Sequence, residues 1–313
     1  MLHSTVELEQ AILKALVYIS PNSTRDEWVK VGMALKAALG DSGFQAFDGW
    51  SQNGETYNAK ATKDTWRSIS SSGGVGAGTL FFIAKDHGFR FESLPSNDRQ
   101  KIENQLCRLK KESLKRKSQE DKERAQKHKE VAGSCESRWE HAEQAQAEHS
   151  YLIRKQVKPF NLKQQGGTLW VPLVDVDNRL WNIQRITPEG KKLFEKGGRI
   201  TGLFSPIGTL SDVVYICEGY ATGATIHQLK GYFVACAMTA GNLTAVARAF
   251  RDKYPKKRFI IVADNDRFTP GNPGLQKAKE AAKAVRGSYV CPSFNDEQQG
   301  TDFNDLAIAE GAL

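Results

Sequence analysis

V-V-Y-I-C-E-G-Y-A-T-G-A-T at 213–225, F-I-I-V-A-D-N-D at 259–266 and G-T-D-F-N-D-L at 300–306 decide the fold of this chain. The first two are short apolar runs that end in carboxylates. Between and around them strand and helix patterns alternate. V-V-Y-I-C at 213–217 reads as a strand, followed by a helix through Ile226. Y-F-V-A-C-A at 232–237 reads as a strand, with a helix from about 242 to 253. F-I-I-V-A-D at 259–264 and S-Y-V-C at 288–291 are further strands, separated by a helix over about 275–285, and a short helix follows Asp302. Apolar strands between amphipathic helices predict an α/β fold whose parallel sheet is covered by helices on both faces.

Ligands of open α/β sheets gather at the carboxyl ends of the strands. Glu218, Asp264, Asp266 and Asp302 all fall where they can meet there. Carboxylates brought together repel one another unless a cation joins them. Magnesium prefers hard oxygen ligands and also takes phosphate oxygens. One or two such ions activate a hydroxyl and neutralise charge on a transferring phosphate. A single Asp at such a place would be no more than a helix cap. Three sites in this order argue for Mg²⁺ or Mn²⁺.

I-C-E-G-Y-A-T-G-A-T, A-D-N-D and G-T-D-F-N-D-L together resemble the Toprim domain of bacterial-type primases, topoisomerases and some nucleases. The resemblance covers residues 212–313. It implies that Glu218 is a metal ligand or general acid–base, and that Asp264, Asp266 and Asp302 hold metal ions. Two positions depart from the pattern. Thr222 stands four places after Glu218, where bacterial primases usually carry Asp, and Asn304 two places after Asp302, where many carry another. Both departures remove negative charge from a second metal site. Cys217, beside Glu218, reads as a buried strand residue, since no catalytic His accompanies it.

The basic charge of the chain lies ahead of these acids. The net charge is +8 overall, +5 over residues 98–130 and +6 over residues 151–211. Lys and Arg in such numbers gain affinity for a polyanion by releasing its counterions. In residues 148–211 the charges interleave with strand patterns. T-L-W-V-P-L-V-D-V-D-N at 168–178 and L-W-N-I-Q-R-I at 180–186 read as a hairpin. H-S-Y-L-I-R-K, L-W-V-P-L-V-D and G-K-K-L-F-E-K-G-G look like the basic segment before Toprim in plasmid- and phage-type primases. By that resemblance Arg185, Lys191, Lys192, Lys196 and Arg199 grip template or nucleotide phosphates.

Residues 1–92 read as a mostly helical module. Leu8, Ile12, Leu16 and Ile19 recur at helical spacing. Thr24 or Ser23 is placed to cap a helix through Trp28 to Leu39, a short helix holds Phe44, Phe47 and Trp50, and Thr79 is placed to cap a last helix containing Leu80 to Ile83. Ser71 to Gly74 read as a loop. W-V-K-V-G-M-A-L at 28–35, F-D-G-W-S at 47–51 and G-T-L-F-F-I-A at 78–84 resemble the primase C-terminal domain, second type. Trp28, Trp50 and Trp66 read as core. Residues 93–147 are polar and rich in Lys, Glu, Gln and Arg, with sparse apolar positions at Ile102, Leu106, Leu109 and Leu114. That composition predicts an exposed helical linker.

Composition removes several classes. No apolar run approaches the roughly 18 residues of a membrane span, and the N-terminus lacks a secretory pattern. The five cysteines form no C-x-x-C pair, so no zinc is expected and a cytoplasmic, reducing setting fits. No G-x-x-x-x-G-K-[ST] motif is present, so no P-loop motor is expected in this sequence, which argues against the nucleases that join Toprim to an ATPase. The sequence-based expectation is a DNA primase, or the priming part of a primase–helicase of plasmid or phage type. Its partners are single-stranded DNA, nucleoside triphosphates and a replicative helicase. The alternative is a non-catalytic replication factor that binds single-stranded DNA or a helicase.

Overall fold

The computed structural model describes residues 6–70, 74–94, 96–295 and 297–313. It divides into two compact units, one reaching to Lys122 and one running from Glu123 to Leu313. Each is described by itself.

The first unit holds helices α1 (Val6–Leu16), α2 (Arg25–Leu39), α3 (Gly43–Ser51), α4 (Ala59–Ser68) and α5 (Ala77–Asp86), and the N-terminal part of α6 (Ser96–His141). Leu8, Ile12, Leu35, Phe47, Trp50, Trp66 and Leu80 form its core, and Trp28 packs on it partly exposed. The buried indoles are satisfied where they need to be. Trp50 Nε1 donates to the Ile19 carbonyl at 2.8 Å, and Trp28 Nε1 to Ser51 Oγ at 3.0 Å. Thr24 caps α2, accepting from the Glu27 N–H at 3.3 Å.

One local expectation changes. The N-cap of α5 is Gly76; Thr79 sits three residues in and its hydroxyl accepts from the Gly76 N–H at 3.3 Å. Helix α4 escapes the apolar pattern because Thr62 and Thr65 supply its buried face beside Trp66. The loop expected over 71–74 falls mostly outside the described residues.

Helix α6 spans 46 residues, beginning in the first unit and ending in the second. It is more than an exposed spacer. Ile102 is buried in the core of the first unit, with Leu106 and Leu109 packed against it. Near the other end Cys135 is buried with Trp170 and Ile183 of the second unit, and Trp139 packs beside them. Leu114, between these ends, is exposed.

The second unit has two sheets. The first is antiparallel, in the order β1 (Glu143–Gln144), β2 (Lys163–Gln165), β3 (Thr168–Val174), β4 (Leu180–Ile186), β5 (Lys192–Phe194), with α7 (Ser150–Lys155) inserted after β1. The hairpin β3–β4 pairs Trp170 with Arg185 and Val171 with Gln184. The remaining elements are β6 (Ser205–Ile207), β7 (Val213–Cys217), α8 (Tyr220–Lys230), β8 (Val234–Cys236), α9 (Leu243–Lys253), β9 (Arg258–Val262), α10 (Pro273–Ala284), β10 (Ser288–Val290) and α11 (Phe303–Ala309). Their sheet runs β10-β9-β7-β8-β6, parallel except for β6, which joins β8 antiparallel. The short S-P-I strand carries no periodic signal long enough to reveal it.

Alternation along the strands divides the core. Val214 and Ile216 face α9 and α10, meeting Val246, Phe250, Ala278 and Ala281. Cys217, Val234 and Cys236 face the other way, toward Tyr220 and Ala224 of α8 and toward Leu169, Val171 and Ile186 of the antiparallel sheet. The basic β-rich segment and the parallel sheet therefore share one core. Gly223 makes the close approach of α8 possible. A Cβ there would lie within 3.2 Å of the Cys217 sulfur and closer still to that of Cys236. Among the described residues, no helix is long and apolar enough to cross a membrane.

Candidate metal centre and nucleic-acid interface

Register fixes the first two acidic groups. Cys217 pairs with Val262 across parallel neighbours β7 and β9. Glu218 and Asp264 thus leave the same sheet edge on adjacent strands. Glu218 follows its strand directly and precedes Gly219, the N-cap of α8. Asp264 and Asp266 lie in the loop from β9 to α10, and Asp302 is the N-cap of α11, accepting from the Asp305 N–H at 2.8 Å.

The loops that carry them are pinned by side chains that the sequence reading passed over. Asn272 takes a left-handed conformation (φ 46°) before Pro273, and its Oδ1 accepts from the N–H groups of Asp266 and Leu275. Its Nδ2 donates to Asn265 Oδ1 at 2.8 Å. Asn265 in turn bonds the Thr301 carbonyl through its backbone N–H and the Pro292 carbonyl through its side chain. One asparagine thereby joins the loops bearing Asp264, Asp266 and Asp302. The Asn-Pro pair at 272–273 is a sequence signal for a capped helix start. Asp266 Oδ2 accepts from the Gly274 N–H at 2.8 Å, in the first turn of α10, where the helix dipole favours a carboxylate.

Burial and like charge act together on these acids. Burial first, then the carboxylates of Glu218, Asp302 and Asp266, push the Asp264 carboxyl up to about 8. Glu218 is raised by burial and then by Asp266, against the Ala240 backbone hydrogen bond and the Lys192 ammonium, which lower it. Among the described residues no three His, Cys or carboxylate side chains converge tightly enough to hold a metal as they stand. Carboxylates of like charge repel one another until a cation joins them. The donor set nonetheless fits a hard cation. Asp264 Oδ1 is buried without a hydrogen-bond partner, an arrangement that costs free energy until something positive meets it.

A raised acid pKa has a stability consequence. The folded chain keeps the Asp264 proton where the unfolded chain has released it. Stability of the metal-free protein should therefore fall as pH rises from 3.8, the ordinary value, to about 8. Thermal melting across that window checks this. Asp264→Asn should flatten the slope, and Mg²⁺ at the alkaline end should raise the melting temperature of the native chain. An unchanged slope in Asp264→Asn would remove Asp264 from the cluster.

The two departures noted in the motifs have different settings. Asn304 is fully buried, and its Nδ2 donates to the Lys155 carbonyl at 2.7 Å and to Thr225 Oγ1 at 2.9 Å. A carboxylate would face the Lys155 carbonyl unfavourably, so Asn304 serves packing. Thr222 is also buried, and its hydroxyl has no hydrogen-bond partner. Cys217 lies buried at 3.7 Å from Cys236 Sγ, and burial raises its thiol pKa.

The five basic candidates separate. Lys192, on β5, is exposed, yet its charge reaches both Glu218 and Asp264. Lys191 and Lys196 are exposed on either side of it. Arg185 is tied to Glu195 at 2.8 Å, and Glu195 also meets Arg138 at 3.2 Å. Arg199 lies over the Trp181 ring at 5.1 Å and donates to the Thr201 carbonyl.

Parts of this chain are similar to known proteins. Residues 213–312 match the family profile described as Toprim domain. Residues 12–84 match the profile described as Primase C terminal 2 (PriCT-2). Two Escherichia coli proteins described as "DNA primase TraC" are 40% identical over 140 residues and 37% identical over 139 residues. Each match takes in 42% of this chain but only 13% and 10% of those relatives. The crystal structure of the primase fragment of the bacteriophage T7 primase-helicase protein aligns at 12% identity with a TM-score of 0.40. That alignment covers 55% of this chain and 76% of that one.

Proposed function

We propose that this chain, which carries a Toprim domain and a PriCT-2 module, synthesises short primers on single-stranded DNA from nucleoside triphosphates. The observation that carries the reading is the buried, unpartnered Asp264 oxygen among mutually repelling carboxylates at the ends of adjacent parallel strands. The names and identities of the two E. coli relatives support it.

Asp264, Asp266 and Asp302 would hold Mg²⁺ or Mn²⁺, with Glu218 beside them. A divalent ion bound there would supply Lewis acidity toward a 3′-hydroxyl and a phosphate. The chain's own residues do the rest. Glu218 is half-buried and its proton affinity is raised by burial and by Asp266. A carboxylate so placed can accept a proton from an attacking hydroxyl. The loop bonds of Asn265 and Asn272 hold Asp264 and Asp266 in place without spending their free oxygen, which preorganises the site. Lys192 sets a positive charge against the carboxylates and offers an ammonium to a phosphate. Lys191 and Lys196 extend that positive edge. Arg185, already compensated by Glu195, contributes less to phosphate binding than the lysines.

Labelled nucleoside triphosphates, single-stranded templates and Mg²⁺ test the reading directly, since new oligonucleotides should form. Binding without synthesis in any divalent ion would favour a non-catalytic replication factor. The lysines have a separate test. Replacing Lys191, Lys192 and Lys196 with Ala should weaken single-stranded DNA binding and reduce its salt slope by up to ~0.7 per lost phosphate contact. Affinity and slope that both stay put would make those lysines solvated surface.

A further inference from the structure

Two residues beyond Asp266 the chain exposes a phenyl ring. Phe268 is 64% exposed, more than any other large apolar side chain described in the second unit. Keeping that ring in water forgoes the burial that stabilises most aromatics. The turn that carries it is hydrogen-bonded in place. The Arg267 guanidinium lies 4.7 Å from the Phe268 ring centre and 4.8 Å from that of Phe294. It also donates to the carbonyls of Asn295 and Gln298. The Thr269 N–H bonds the Asp266 carbonyl at 2.8 Å and the Asn272 N–H bonds the Thr269 carbonyl at 3.0 Å, which closes the turn carrying the ring. Phe268 borders an open cleft of about 720 Å³, with Arg267, Thr269, Asn272 and Gln276 also on its wall.

We propose that Phe268 is a stacking platform for a base of the single-stranded template, beside the carboxylate cluster. The proposal rests on the priming reading for its choice of ligand. A nucleobase has a flat π-face that matches an exposed phenyl ring, and stacking of this kind tolerates any base. Arg267 places a cation next to the ring, and its hydrogen bonds to carbonyls leave that charge in place to favour a polyanionic strand. Thr269 and Gln276 on the cleft wall supply polar groups for base edges and sugar. Continuity with Asp266, two residues away on the same pinned loop, puts the stacked base within a short reach of the reacting end of a strand.

The test uses the full chain and two labelled strands of equal length, an oligo-dT and an abasic strand with the same phosphates. Phe268→Ala should weaken oligo-dT binding about five- to hundredfold and leave abasic-strand binding unchanged. Phe268→Tyr should keep the preference for the base-bearing strand. An equal loss on both strands, or no loss on either, overturns the proposal. So does a loss confined to the binding of nucleoside triphosphates, which would assign the ring to the incoming nucleotide. Priming is read separately in the same proteins. A wild-type chain that makes no primer yet loses base-dependent binding on Phe268→Ala keeps the platform and removes the priming reading.

Discussion

Glu218→Gln is expected to lower primer synthesis by about 10²–10⁴-fold, the range typical of a lost general acid–base group. Gln keeps the shape of the side chain but removes its charge and basicity. Glu218 stands directly after β7, where the chain turns into α8, so the change leaves the strand pairing intact. Its hydrogen bond from the Ala240 backbone has an acceptor in Gln as well. Removing one carboxylate from a cluster in which burial and neighbouring charge raise proton affinity should leave the metal-free fold as stable or more so. Thermal stability and single-stranded DNA affinity should therefore change little while synthesis collapses. Synthesis at the native rate in Glu218→Gln would exclude this role, and a fall in stability matching the fall in rate would make Glu218 structural.

The second large effect concerns the metal. Asp264→Asn combined with Asp266→Asn should abolish calorimetrically detectable binding of Mg²⁺ or Mn²⁺, and primer synthesis with it. The two sites differ in what they risk. The free Oδ1 of Asp264 has no partner to lose. Asp266 Oδ2 accepts from the Gly274 N–H in the first turn of α10. Asn at 266 keeps an oxygen for that bond but loses the charge that the helix dipole favours, a cost of about 0.3–1 kcal/mol. The double variant should consequently remain folded. Unchanged divalent binding in that folded protein would sink the assignment of Asp264 and Asp266 as ligands.

Much of the fold was legible because its signals are local. V-V-Y-I-C and F-I-I-V are apolar runs of strand length, and the parallel register that follows puts Glu218 and Asp264 on one edge. The β3–β4 hairpin was equally plain from alternation and its turn. What was not legible depended on partners distant in sequence. The edge strand β6 is held by pairing with β8, across the whole of β7 and α8. Cys135 and Trp139 look like stray residues in a charged helix until Trp170 and Ile183 supply the surface that buries them.

The site divides the same way. Residue types and spacing pointed to the four carboxylates, but not to the work of Asn265 and Asn272, whose bonds tie the β9–α10 loop to the β10–α11 loop. Asn304 looked like a missing ligand, whereas its contact with the Lys155 carbonyl, 149 residues away, gives it a packing role. Lys192 stood among five equal basic candidates. Only the antiparallel pairing of β5 with β4, which sets Lys192 opposite Ile186, distinguishes it as the one whose charge reaches the acids.

One measurement bears most directly on the central claim, that these carboxylates support nucleotidyl transfer. The full chain is incubated with single-stranded DNA, labelled nucleoside triphosphates and Mg²⁺ or Mn²⁺, in parallel with Glu218→Gln and with the Asp264→Asn, Asp266→Asn double variant. The proposal predicts new short oligonucleotides from the native chain, a fall of about 10²–10⁴ with Glu218→Gln, and none from the double variant. Native protein that binds the template but extends nothing in either metal, or variants that synthesise as well as it does, would contradict the account.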